Sequence, residues 1–193
     1  MKRILLFILI FSIFSCNKKE VQVPKVTLQG EEEVANYSVI WMFFGENGKL
    51  DLNEKNRISS TNWFFNIDKK LTLKEMLPEV VRLRVKHSEK SPHNTKPMGN
   101  YYSYINKTND HLSFYAFDSI QYEFVDRLPH VGMDTLLLEI KNKHFEIPKM
   151  NKKNTLQLVY NSDLKFQEYM EVKGQLAKKT NVKNISRIEF IID

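Results

Sequence analysis

One cysteine, six glycines and six prolines in 193 residues leave this chain short of the parts several chemistries need. The glycines, at 30, 45, 48, 99, 132 and 174, are scattered. There is therefore no loop to cradle a phosphate, no dinucleotide fingerprint and no Gly-x-Ser-x-Gly elbow. A single cysteine rules out an internal disulfide or a paired thiol site. The histidines His87, His93, His111, His130 and His144 never fall at the His-x-x-x-His spacing that sets two metal ligands on one helical face. His87 and His93 with Glu89 sit in one polar stretch; solvated loop histidines explain them without a metal. No metal and no cofactor is expected. No apolar run approaches the roughly 20 residues a spanning helix needs.

The chain does have a shorter apolar run, residues 4–15, behind Lys2 and Arg3 and ahead of Ser15. Positive flank, apolar core and small residue form the order of a secretory signal. Ile13-Phe14-Ser15-Cys16 resembles the bacterial lipobox, which implies cleavage before Cys16 and acylation of its thiol. The bulky Phe14 departs from the usual residue, and an ordinary cleaved signal with a coincidental cysteine is the alternative. The lone cysteine favours the lipobox, because an exported free thiol would be a liability and an acylated one is not. Residues 1–15 thus read as signal, and the expected location is a bacterial membrane, facing the periplasm or the exterior. The formal charge of +6 loses Lys2 and Arg3 with the signal. The remaining excess suits anionic lipid or acidic polymer, and no nucleic-acid partner is expected.

Residues 16–33 carry Pro24, Gly30, a lysine pair and Glu31-Glu32-Glu33, a composition that predicts a lipid-anchored linker. Residues 34–193 read as one α+β domain, with a subdivision near 126–134. Strand-like runs occur at 37–44, 49–52, 63–67, 101–105, 112–117, 120–125, 135–140 and 144–147; Asn47-Gly48 predicts a hairpin turn. A helix is predicted over 72–87, opened by a Thr72/Glu75 capping box, with Pro78 as its difficulty. Segments 155–160, 164–179 and 186–192 predict a C-terminal βαβ unit with a parallel pair. Phe166, Tyr169, Met170 and Ala177 share the helix face, and Gly174 weakens the helix by about 1 kcal/mol relative to Ala.

The run from Leu156 through Asp163, Phe166 and the helix to the last strand resembles the periplasmic domain of the ExbD/TolR family. Residues 39–52 look like its opening hairpin, 71–85 like its first helix, and 86–154 like a β-rich insertion. A strand–Asp–aromatic order at 112–125 also suggests an internal duplication. The resemblance implies a mixed sheet with two main helices and an extracytoplasmic half that binds protein partners or cell-wall polymer. Residues 4–15 hold no acidic group, so the family's proton relay is not implied.

Two clusters stand out as possible binding residues. Tyr101, Tyr102 and Tyr104 offer aromatic faces to a sugar, although alternating aromatics also build cores. Asp126, Arg127 and His130 form a compact polar group in a turn-rich break, readable as a hydrolytic site or as a local ion pair. Asp118-Ser119-Ile120 and Asp134-Thr135-Leu136 resemble the short O-glycosylation signal of exported Bacteroidetes proteins. The expected function is a non-catalytic envelope lipoprotein, held to the membrane through Cys16, that binds an envelope protein or peptidoglycan. An envelope hydrolase and a glycan- or lipid-binding module are the alternatives.

Overall fold

A computed structural model describes residues 20–89, 98–179 and 184–193. The signal, Cys16 and His93 lie outside the described residues. Among the described residues ten strands and two helices make an α+β fold. The first sheet holds β1 (Lys25–Val26), β2 (Tyr37–Phe44), β3 (Leu50–Asn53), β4 (Asn62–Ile67), β5 (Asn100–Asn106) and β6 (Leu112–Ala116), ordered β1-β5-β4-β2-β3 with β6 on β5. The second holds β7 (Gln121–Val125), β8 (Thr135–Ile140), β9 (Thr155–Asn161) and β10 (Ile185–Ile192), ordered β7-β10-β9-β8 and wholly parallel. Helix α1 (Leu73–Ser88) follows β4 and helix α2 (Phe166–Lys178) follows β9. Among the described residues no helix is long and apolar enough to cross a membrane.

The local signals act as their chemistry dictates. Asn47-Gly48 turns β2 into antiparallel β3, with Gly48 at φ 74°, the left-handed region that favours glycine. At the start of α1 the Glu75 carboxylate accepts both the backbone N–H of Thr72 (2.8 Å) and its hydroxyl (2.7 Å). Pro78 lies inside α1 without ending it; its missing N–H deprives only the carbonyl of Lys74, an exposed residue that water can serve. The expected strand at 144–147 does not form. Its apolar residues Phe145 and Ile147 pack against the core from an irregular segment instead. On α2 it is Leu176 that turns inward, and Ala177 is exposed.

The two halves repeat one design. β4–α1–β5 and β9–α2–β10 are both βαβ units with parallel pairs. Their helices begin back to back: Leu73 N–H bonds the Leu164 carbonyl (2.9 Å) while Phe166 N–H bonds the Leu71 carbonyl (2.8 Å). Lys74 N–H to Ser162 (2.9 Å) and Gln167 N–H to Lys69 (3.1 Å) extend the same exchange, and Thr72 bridges Lys165 at its centre. The βαβ connectivity of residues 62–106 thus recurs at 155–192, whereas 112–125 form β6 and β7 with no helix between them. Residues 86–154 supply β5–β8 and complete both sheets.

Side chains from both sheets and both helices form one continuous core, from Val26 to Ile191. Segment 126–134 carries the chain from one edge of the second sheet to the other, between β7 and β8, so the domain is not divided there. Nor are residues 22–33, most of the expected linker 16–33, free. From residue 22 the chain is bound to the domain: Gln22 N–H donates to Asp68 (3.2 Å), β1 pairs with β5, and Val26 and Leu28 are buried. Each such side chain contributes about 1.5–3 kcal/mol, which outweighs the flexibility suggested by Pro24, Gly30 and the charges.

Gly174 is what lets α2 receive this segment. A Cβ there would stand 2.4 Å from the Thr27 carbonyl oxygen, a backbone atom that cannot swing aside. The helix-propensity argument is therefore reversed, and Gly174→Ala should cost about 1–3 kcal/mol by overpacking. Hydrogen exchange should show the loss first at residues 25–28. An unchanged or raised melting temperature would mean that the segment does not lie against α2.

Candidate functional site

The tyrosine cluster at 101–104 divides between the two faces of β5, as strand geometry requires. Tyr102 and Tyr104 are wholly buried. Tyr102 stacks on Phe117 (3.9 Å) and its hydroxyl meets that of Tyr122 (3.0 Å); the Tyr104 hydroxyl donates to the Leu28 carbonyl (2.9 Å). Neither has a face to offer a sugar. Tyr101 lies on the other side of the sheet, edge-on to Phe64.

Asp126, Arg127 and His130 are all exposed on the 126–134 crossover. No hydrogen bond or ion pair joins them among the described residues, so the geometry assembles neither the hydrolytic group nor the local ion pair. Ser119 is exposed in the turn before β7, and Thr135 is half-buried at the start of β8. No metal-binding cluster occurs among the described residues.

A polar cleft of about 470 Å³ lies between the end of α1 and the turn before β7. Asp118 accepts the backbone N–H of Asn100 (2.8 Å) and its side-chain amide (2.7 Å). The Asn100 side-chain oxygen Oδ1 thereby faces His87 Nδ1 (2.9 Å), while His87 Nε2 meets the Thr61 backbone carbonyl (3.0 Å). The imidazole stacks flat on Trp63, centroids 4.0 Å apart. Both ring nitrogens are thus engaged, and His87 is buried, not a loop histidine. The chain of contacts ties the end of α1 to the start of β5 and to the turn before β7, and it occupies both ring nitrogens of His87 and both oxygens of Asp118.

The most distinctive surface is the outer face of the first sheet. A half-solvated strand ordinarily alternates apolar and polar residues, but β2 presents Tyr37, Val39, Trp41 and Phe43 outward while Ser38, Ile40 and Met42 are buried. Beside them Phe64 of β4 and Phe114 of β6 complete an apolar groove of about 560 Å³. Tyr37 lies flat on Phe64 (4.5 Å, 11°), and Phe64 stacks on Phe114 (4.1 Å). Residues 32–35 form one wall, held in place because Glu31 exchanges backbone hydrogen bonds with Phe114 (2.9 and 2.8 Å). Tyr37 remains 56% exposed and Leu112 45%. A contiguous apolar patch of this kind marks an interaction site, and its volume is that of a small-ligand or side-chain pocket. The charged side chains among the groove's lining residues are Glu32 and Glu33, both on the wall. The sequence signal for it was the missing polar phase in 37–44, which reads only as a strand until the helices are known to cover the other face.

Comparison with family models, with curated proteins and with solved structures finds no match to this chain.

Proposed function

We propose that this chain is a membrane-anchored lipoprotein of a bacterial envelope, a non-catalytic module that binds a protein partner through the groove of Tyr37, Trp41, Phe64 and Phe114. The observation that carries the reading is that aromatic groove, on a sheet face that neither helix covers. The ExbD/TolR resemblance leads to the same class of function. The anchor follows from the lipobox-like residues at Cys16, and the fold adds a constraint. Gln22, already bonded to Asp68, is within about 20 Å of chain from Cys16. The domain would ride close to the lipid, not on a long stalk.

Two measurements test the reading. A clickable fatty acid should label the protein in cells and fail to label Cys16→Ser. A photo-crosslinking residue in place of Tyr37 should capture one envelope protein in stoichiometric yield, whereas the same residue in place of the exposed Phe124 should not. Tyr37→Ala with Trp41→Ala should reduce co-purification of that protein at least about tenfold, as loss of aromatic anchors does. Equal capture from both crosslinking positions would remove the groove from the proposal, and unchanged labelling of Cys16→Ser would remove the anchor.

A further inference from the structure

The geometry points to a basic, extended peptide segment as the groove's occupant, its apolar side chain on the aromatic floor and its Lys or Arg against Glu32 and Glu33. This rests on the reading of the groove as the binding surface and adds the chemistry of the partner. Charge is the first argument. The chain is basic, with 29 Lys and Arg against 23 Asp and Glu, yet three consecutive glutamates sit where the groove opens and two of them line its wall. Among the described residues none of the three forms an ion pair. Glu32 accepts only the Asn109 amide (2.8 Å), and Glu33 is exposed. Carboxylates held without a cation beside an apolar floor complement a partner of positive charge.

The second argument is the free side of Tyr37. Its ring rests on Phe64 with one face and is more than half exposed, which leaves the other face for a guanidinium or ammonium group. The third is length. From Tyr37 to Trp41 the floor runs along β2 for about 13 Å, the reach of about four extended residues. A compact cation would use only part of it.

The two tryptophans make the test direct. Trp41 lines the groove, whereas Trp63 is 1% exposed and stacked on His87, so a ligand-induced shift in emission reports Trp41. The full chain in phosphatidylcholine nanodiscs is titrated with acetyl-Lys-Leu-Phe-Leu-Lys-amide and with the same peptide carrying Gln for Lys, and Trp41→Phe serves as the blank. The basic peptide should shift the emission to the blue and bind about tenfold more tightly than the neutral one; Glu32→Gln with Glu33→Gln should make the two peptides bind alike. Equal binding of both peptides to the unmodified chain would overturn the charge proposal and leave the groove standing as an apolar site. No Trp41 response to either peptide would overturn the groove reading as well. Emission that moves with protein concentration alone would assign the groove to a second copy of the chain, against the proposal.

Discussion

Lys173→Met should destabilise the protein by about 3–5 kcal/mol, the usual consequence of leaving one member of a buried ion pair alone. Lys173 and Glu189 are 8% and 2% exposed, and their ammonium and carboxylate are in contact. The second carboxylate oxygen accepts the Tyr169 hydroxyl (2.9 Å), and Lys173 also lies over the rings of Tyr160 and Tyr169. A methionine would fill much of the lysine's volume but leave Glu189 charged and buried without its cation. Adding Glu189→Gln removes that charge and keeps an acceptor for Tyr169, so the double variant should regain at least half of the loss. The check is the midpoint of urea unfolding at constant slope. A cost under about 1 kcal/mol for the single variant would mean that water reaches the pair.

The first repeat shows that the fold does not require these charges. Where α2 carries Tyr169 and Lys173, the equivalent turns of α1 carry Met76 and Val80, and the strand position of Glu189 beside Leu158 is matched by Tyr102 beside Phe65. The polar chain from Tyr102 through Tyr122 and Tyr169 to Glu189 is thus confined to the seam between the halves and the second unit. A buried network of this type adds less stability than its contacts suggest, because desolvation offsets the Coulomb gain. We expect its role to be alignment of the two sheets, and the alignment hypothesis would be abandoned if the double variant kept an unchanged near-ultraviolet circular dichroism spectrum.

Periodicity explains what the sequence made legible. β2, β4, α1 and the C-terminal βαβ unit announce themselves through apolar phase, an Asn-Gly turn and a capping box, and all of these are local interactions. The exceptions depend on partners far away in the chain. Val26 and Leu28 look like linker residues until β5 and Gly174 are brought beside them. Tyr102 and Tyr104 look like a platform until the helices cover that face. Lys173 lies in the inward phase of α2 and Glu189 in that of β10, a double violation of patterning that could have suggested a buried pair. The groove was the least legible feature, since its wall lies in the segment expected to be a tether, and its floor combines β2, β4 and β6 from distant parts of the chain.

Above pH 10 the folded state should lose stability steeply. Burial pushes the phenols of Tyr102, Tyr122, Tyr160 and Tyr169 well above their ordinary value of 10.0, and the nearby Glu189 carboxylate adds to it. In the unfolded chain the same groups ionise near pH 10. The unfolded state then holds fewer protons than the native one, and the free energy of unfolding falls as pH rises. The stability is fully present below pH 10. Once the unfolded tyrosines are ionised, each removes about 1.4 kcal/mol per pH unit, so the four together remove roughly 5. Against a total of about 5–15 kcal/mol, unfolding should occur within about one to three units above pH 10. The buried four should ionise only in the step that abolishes the circular dichroism signal. Smooth ionisation of all the tyrosines while the fold persists would contradict the burial. Tyr160 provides the internal control, because its buried hydroxyl has no hydrogen-bond partner among the described residues. Tyr160→Phe should therefore be neutral or slightly stabilising at pH 7 and should reduce the alkaline slope by about a quarter, whereas Tyr169→Phe, which deprives Glu189 of a donor, should cost stability at pH 7 and reduce the alkaline slope by a similar quarter.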